Sequence, residues 1–137
     1  MAKDIQQMDF VKTTVLTASG GATPAVTGPA QKFTEVESDF SAVLVNAGLS
    51  TDLTVTYQMG YLGDGVSEDA ALHDETLITW LTPQSGGTIA RMTNANIPGD
   101  DIHADLSLSV GKYYRFTITN NDAVRAATVR LVGICQF

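Results

Sequence analysis

The stretch from Leu53 to Tyr61 constrains the fold of this chain more than any other. Apolar side chains occupy every second position there, and threonine, glutamine and glycine fill the positions between them. A period of two places alternate side chains on opposite faces of an extended strand, whereas an α-helix repeats every 3.6 residues. The stretch therefore predicts a β-strand with one face directed at a core. Its apolar set is Leu53, Val55, Tyr57, Met59 and Tyr61.

Other stretches have the composition of short strands, and turn residues separate them at intervals of about ten residues. They lie at residues 9–18, 33–36, 40–46, 76–82, 88–93, 106–119 and 127–137. Only residues 67–72 suggest a turn of helix. About eight strands with hardly any helix predict an all-β fold, either an antiparallel sandwich or a small barrel. Of the two we expect a single antiparallel, jelly-roll-like β-sandwich spanning residues 1–137.

The last quarter of the chain predicts a closing hairpin. Alternation runs to Ile118, the cluster Asn120-Asn121-Asp122 follows, and alternation resumes at Ala127. Asn and Asp tolerate the positive φ that a tight reversal needs. Leu131 is in phase with the apolar face and is predicted to be buried. Residues 76–82 and 88–93 predict a second hairpin.

Two stretches within the first 30 residues predict less regular structure. Residues 1–9 are polar and predict an arm, and the Gly/Pro-rich residues 19–30 predict a flexible loop or extended segment. No apolar run has the length of a signal peptide core or a membrane span. The single cysteine, Cys135, excludes an internal disulfide. We therefore expect a soluble protein made in a reducing cytoplasm, without membrane contact.

Charge is unevenly distributed along the chain, whose net charge is −7. Between residues 34 and 110, twelve acidic side chains stand against Arg91 alone, whereas the two ends are basic. Phosphate contacts need clustered Lys and Arg, so the middle of the chain is not expected to bind nucleic acid directly. The asymmetry favours contacts between copies, acid to base, and a simply solvated surface is the alternative.

The acidic segment at residues 63–75, which connects two predicted strands, contains the one candidate cation site in the sequence. Asp64 and Glu75 are spaced like the first and twelfth positions of an EF-hand loop, but Val66 and Asp69 occupy positions that need an oxygen ligand and a glycine. A solvated loop is the favoured interpretation. The alternative is a loosely organised cation site built from Asp64, Asp69, Asp74 and Glu75.

Signatures of catalysis are absent from the sequence. His73, His103 and Cys135 lack metal-ligand spacing, and no Gly-x-Ser-x-Gly elbow is present. The Gly-Gly pairs at residues 20–21 and 86–87 are followed by turns rather than by a helix that would bind phosphate. We therefore expect a non-enzymatic protein with no catalytic residues and no cofactor. A hydrolase on a jelly-roll scaffold is the least favoured alternative, because no acid and base pair can be nominated.

Five aromatic residues suggest an alternative function as a carbohydrate- or receptor-binding module of a tail or fibre. On an exposed face they would form a platform for sugars, but strands of this phase favour core or interface positions for most of them. The five are Tyr57, Tyr61, Trp80, Tyr113 and Tyr114.

Residues 113–122, followed by residues 126–133, resemble the closing hairpin of small β-sandwich virion proteins of tailed bacteriophages, such as capsid decoration or cement proteins. The resemblance implies a virion protein made in the host cytoplasm. It also implies a homo-oligomer, often a trimer, that binds the major capsid protein or other virion proteins and stabilises the shell. No functional residues are transferred from the resemblance.

Overall fold

The computed structural model describes residues 5–20, 24–32, 38–82, 88–92, 102–106 and 113–136. Helix α1 spans Glu68–His73, and a 3-10 turn spans Glu75–Leu77. The strands are β1 (Ile5–Leu16), β2 (Ala25–Thr27), β3 (Gln31–Lys32), β4 (Ser38–Asn46), β5 (Leu53–Leu62), β6 (Ile78–Leu81), β7 (Thr88–Met92), β8 (Ile102–Leu106), β9 (Tyr113–Asn120) and β10 (Ala127–Gln136).

The described strands form two antiparallel sheets. The first has the order β1-β10-β4-β8, and the second has the order β2-β9-β5-β6. In the second sheet β3 also pairs with β9, and β7 also pairs with β5. At each edge of that sheet, two short strands therefore lie end to end along the same neighbour and together form one row of the sheet. The pairs are β2 with β3 at one edge and β6 with β7 at the other.

When each of these pairs counts as one strand, every sheet has four rows. Numbered along the chain, the rows run 1-8-3-6 in the first sheet and 2-7-4-5 in the second, which is the strand order of a jelly roll. The predicted antiparallel, jelly-roll-like sandwich of about eight strands is confirmed.

The prediction of a closing hairpin is wrong. Strand β9 belongs to the second sheet and β10 to the first, so residues 121–126 cross between the sheets. No described non-glycine residue has a positive φ. The cluster Asn120-Asn121-Asp122 is used for side-chain hydrogen bonds at this crossing, and not for a left-handed turn.

The second predicted hairpin is also wrong. Strand β6 pairs with residues 59–62 of β5, and β7 pairs with residues 53–56 of the same edge. The two strands therefore lie one after the other along β5. Alternating apolar residues predict that a segment is a strand, but they do not identify the strand that pairs with it. The alternation is the same whichever strand lies beside it.

Part of the predicted arm and part of the predicted loop are paired strands. Residues 5–9 begin β1, where Ile5 lies opposite Gln136 and Asp9 opposite Val132. Residues 25–27 form β2 at an edge, where proline nearby is tolerated. Residues 1–4, 21–23 and the strand predicted at 33–36 lie outside the described residues. Residues 93–101, from the end of the strand predicted at 88–93 onward, are outside them as well, and β8 begins at Ile102.

The core lies between the inner faces of the two sheets. Phe10 of β1 stacks on Phe116 of β9 with ring centroids 4.4 Å apart. Gly133 of β10 makes room for the Phe10 ring, because an added Cβ would collide with it. Leu131 is buried as predicted. The other buried side chains of this cluster include Val11, Leu44, Leu53, Val55, Ile118 and Val129.

Candidate interaction surfaces

At one end of the sandwich, two turns are joined by the buried amide of Asn120. Its Oδ1 accepts hydrogen bonds from Ser50 Oγ at 2.7 Å and from the backbone N–H of Asp122 at 3.1 Å. Its Nδ2 donates to the carbonyls of Thr17 at 2.8 Å and Arg125 at 3.0 Å. One side chain thus ties the end of β9 to three neighbouring chain segments.

Asp122 fixes the second of these turns. Its Oδ1 accepts from the backbone N–H groups of Val124 and Arg125 at 3.0 and 3.1 Å. Its Oδ2 accepts from the N–H and hydroxyl of Thr51 at 3.0 and 3.2 Å, and Arg125 Nη1 lies 3.5 Å away. These bonds, led by the one from the Thr51 N–H, lower the pKa of Asp122 to about 2.

The backbones of the two turns are also bonded directly. Leu49 and Ser50 donate their N–H groups to the carbonyl of Ala126 at 3.2 and 3.0 Å. A Cβ at Gly48 would lie only 2.7 Å from Cα of Ala127, so the approach requires glycine. We call residues 47–52 and 121–126 together the turn end.

Apolar side chains project from this fixed scaffold. Leu49 is 69% exposed and Val124 is 77% exposed. Val15, which lies opposite Thr128 at the adjoining end of β1, is 67% exposed. Single exposed apolar residues are common on protein surfaces, but Leu49 and Val124 lie on turns whose backbones are held by hydrogen bonds, so the positions of these two side chains are preorganised.

A groove lies at the opposite end of the second sheet, between α1 and the row formed by β2 and β3. The local sequence fixes α1, because Ser67 Oγ caps its first turn by accepting from the N–H of Ala70 at 3.1 Å. Two contacts then hold the helix region against the sheet. Lys32 Nζ lies 2.8 Å from Glu68 Oε2, and Glu75 Oε1 accepts from the N–H of Ala30 at 2.7 Å.

The groove encloses about 510 Å³ and has an apolar floor with an acidic rim. Tyr113 is nearly buried in the floor, and Lys32 Nζ lies 5.7 Å from the centre of its ring. Pairing with Glu68 raises the pKa of Lys32. We call this feature the α1 groove. Its lining residues are Ala30, Lys32, Glu68, Asp69, Ala71, Leu72, Glu75, Ile78 and Tyr113.

The four carboxylates of the predicted cation site have separate roles. Asp74 caps the 3-10 turn, accepting from the hydroxyl and N–H of Thr76 at 2.6 and 3.0 Å, and these bonds lower its pKa. Glu75 holds Ala30, and Asp69 shares the α1 groove with it, whereas Asp64 does not line the groove. Among the described residues, no group of three or more His, Cys, Asp or Glu side chains is placed to hold a metal ion.

The five aromatic residues do not form a platform. Tyr57 and Tyr114 pack in or against the core, and Tyr113 lies under α1, which confirms the interpretation of these three as core residues. Trp80 lies against Gly60, where an added Cβ would be 2.9 Å from its ring, and the Arg115 guanidinium lies 4.3 Å from the ring centre. Tyr61, the remaining member of the five, is 50% exposed.

The remaining residues considered for chemistry are dispersed. His73 is exposed in α1, with Nδ1 at 2.9 Å from the carbonyl of Asp69. His103 lies in β8 and Cys135 in β10, two strands of the first sheet. In the described part of the chain, no helix is long and apolar enough to cross a bilayer.

Sequence reasoning missed the turn end, although a signal for it existed. Asn120 follows Tyr114, Phe116 and Ile118 in phase, so a polar side chain stands at a core position. Asn46 occupies the same kind of position after Ala42 and Leu44, and its Nδ2 donates to the carbonyl of Ser50 at 3.0 Å. A buried polar residue needs partners, which predicts a hydrogen-bonded network where these two strands end.

No protein-family model matches the chain, and no curated protein sequence matches it. Similarities are found among solved structures. PirA has a TM-score of 0.44 and 14% identity, with 95% of each chain covered. The CBM36-1 domain of a multidomain xylanase from the hindgut metagenome of Trinervitermes trinervoides has a TM-score of 0.46 and 7% identity, with 96% of each chain covered. The structure of infectious bursal disease virus Gx strain has a TM-score of 0.45 and 8% identity, covering 99% of this chain and 32% of that one.

TM-scores and identities as low as these say nothing about function. The assignment of the fold is based on the strand order of the chain itself. The chain is a jelly-roll β-sandwich, an architecture found in viral capsid and lectin domains. That architecture is compatible with a structural or binding module, and it hosts other functions too.

Proposed function

We propose that this chain is a non-enzymatic structural protein of a virus particle, an accessory that decorates or cements the capsid of a tailed bacteriophage through protein contacts. The observation that carries the proposal is the turn end. Its exposed Leu49 and Val124 add nothing to the core, yet hydrogen bonds from the Leu49 N–H to the carbonyl of Ala126 and from the Val124 N–H to Asp122 hold their backbones in place.

Rigid presentation suits protein binding, because little conformational entropy remains to be lost when a partner docks. The jelly roll supports the proposal as a fold that capsid proteins use. The α1 groove supports a binding role over turnover, since its acidic side chains Glu68 and Glu75 are engaged with Lys32 and Ala30. Its lining residues include no Ser or Cys, and pairing with Glu68 raises the pKa of Lys32, which keeps that amine protonated and non-nucleophilic.

Composition of purified particles tests the proposal. Particles would be prepared from a phage genome that carries this coding sequence and from the same genome with the sequence deleted. Quantitative mass spectrometry should find the protein at a fixed ratio to the major capsid protein, and particles that lack it should disassemble at a lower temperature. Absence of the protein from intact particles would contradict the proposal.

A glycan array separates this function from the carbohydrate-binding alternative. We expect no signal above background, because Arg115 covers a face of Trp80 and Tyr113 is enclosed by α1. Specific glycan binding that is lost in Trp80→Ala would instead support a receptor-binding module.

A further inference from the structure

The two surfaces described above lie at opposite ends of the molecule. Strand β9 begins at Tyr113, which lines the α1 groove, and ends at Asn120, immediately before the turn end. Its eight residues make seven steps of about 3.3 Å, so the two surfaces are ~23 Å apart along the strand. They cannot contact each other within one copy.

The exposed tip of the turn end, residues 123–126, is complementary in charge and polarity to the α1 groove. The turn end presents Ala123, Val124, Arg125 and Ala126, all exposed, with the Arg125 side chain 51% exposed. This tip is small and apolar and carries one exposed cation, whereas the two acidic residues of the turn end are more covered: the Asp122 side chain is 6% exposed and Asp52 is half-buried. The α1 groove has an apolar floor and three carboxylates, Glu68, Asp69 and Glu75, against the single cation of Lys32.

Both surfaces also carry an apolar side chain that their own copy leaves uncovered. Leu72 in the wall of the α1 groove is 77% exposed, as is Val124 in the turn end. Arg125 is oriented by its contact with Asp122, and its remaining guanidinium donors are available to a carboxylate such as Asp69.

We infer that the α1 groove is the docking site for the turn end of a second copy of this chain, with Val124 against the apolar floor and Leu72, and Arg125 at the acidic rim. The inference rests on the proposed function and names one partner of the turn end. Because two different surfaces meet, the contact is heterologous, and successive copies build a ring or an open chain.

The contact area of one loop in one groove is small, so pairwise association in solution is weak. On a particle the copies are held close together, and their high effective concentration makes weak contacts sufficient to link neighbours. The arrangement uses Val124 and Arg125 for the lateral contact between adjacent copies and leaves Leu49 of the same turn end for the shell, so that loss of either contact weakens attachment to the particle.

Charge reversal tests the inference in the absence of particles. The molar mass of the wild type would be followed by analytical ultracentrifugation in a concentration series up to about 1 mM. We expect concentration-dependent association that Arg125→Glu and Asp69→Arg each weaken at least about tenfold. The combined variant should recover association, because the two charges have exchanged places.

Asp64→Arg is the matched control, since it makes the same charge change outside the α1 groove and should leave association unaltered. Val124→Asp provides a second disruption that spares the contact between Arg125 and Asp122. Amide shifts in a labelled sample titrated with unlabelled protein should map to residues 68–72 and 123–126.

The inference is overturned if the wild type remains a monomer throughout the series, if Asp64→Arg weakens association as much as Asp69→Arg, or if the combined variant fails to recover it. A monomer that still binds particles would refute this contact and leave the proposed function standing. Association without particle binding would support this contact and contradict the proposed function.

Discussion

Ser50 donates its hydroxyl hydrogen to Oδ1 of Asn120 across 2.7 Å, and the two residues are separated by 70 positions in the sequence. The bond is buried and joins the turn after β4 to the end of β9, strands that belong to different sheets. Polar contacts therefore fasten the two sheets at the turn end, where the hydrophobic core stops. The projecting apolar side chains of that end depend on this bond.

Removing the Asn120 side chain should destabilise the fold. In Asn120→Ala the buried Ser50 hydroxyl and the carbonyls of Thr17 and Arg125 lose their partner, which should cost about 2–4 kcal/mol. Urea denaturation followed by circular dichroism measures the loss. Thr119→Ala, at the neighbouring half-buried position, serves as control and should cost less than about 1 kcal/mol. Equal losses in the two variants would show that the network is not structurally important.

The pH dependence of stability should report on Asp122. Its pKa is about 2 in the folded state and is lowered from 3.8, so the folded protein prefers the ionised form. The resulting stabilisation is complete above the unfolded pKa of about 4 and is lost as the pH falls toward 2. Asp122→Asn should melt at a lower temperature than the wild type at pH 7. The difference should shrink between pH 4 and pH 2, and a gap that stays constant over that range would contradict the assignment.

Gly133 should not tolerate a methyl group. In Gly133→Ala the new Cβ collides with the ring of Phe10, which is itself stacked on Phe116, and overpacking of this kind costs about 1–3 kcal/mol. Gly63→Ala is the control, because no described atom lies within 4 Å of its added Cβ. The control should be neutral or slightly stabilising in a thermal melt. Similar melting temperatures for the two variants would place Phe10 elsewhere.

Leu131 lies in the core, and truncation of its side chain should strongly lower the free energy of unfolding. Leu131→Ala removes a side chain buried against the opposite sheet, which should cost about 2–5 kcal/mol. Leu72→Ala removes the same atoms from an exposed position and should change stability little. If the two substitutions had the same effect on the free energy of unfolding, the phase of β10 would have to be reversed.

Calcium should not stabilise the folded protein. Asp74 caps the 3-10 turn and Glu75 holds Ala30, so these carboxylates have roles that need no ion. We expect the same melting temperature in calcium and in a chelator. A higher melting temperature in calcium that disappears in Asp64→Asn would restore the cation site predicted from the sequence.

The sequence predicted the class of fold because alternation is a local property. Leu53 and Val55 are buried as their period indicates, whereas Tyr61 at the end of the same predicted face is 50% exposed. The helical turn predicted at residues 67–72 matches α1 at Glu68–His73. Strand pairing could not be predicted in this way. Strand β10 pairs with β1 and β4 rather than with β9, the strand that precedes it. Strands β1 and β4 lie far from β10 in the sequence, so a local pattern does not indicate this pairing.

The interaction surfaces were harder to predict for a related reason. The α1 groove forms when Lys32 and Glu68 meet, and the turn end forms when Ser50 meets Asn120. Each pair comes from two segments whose proximity follows only from the completed jelly roll. Buried asparagines at core positions were the available signal, and they indicate a network without showing which partners complete it.

Binding of the purified protein to particles assembled without it is the decisive measurement for the capsid role. We predict saturable binding of the wild type at a fixed number of copies per particle, measured by co-sedimentation. Leu49→Asp and Val124→Asp should bind at least about tenfold more weakly while melting at the wild-type temperature, because both side chains are exposed. Failure of the wild type to bind, or equal binding by all three proteins, would contradict the account.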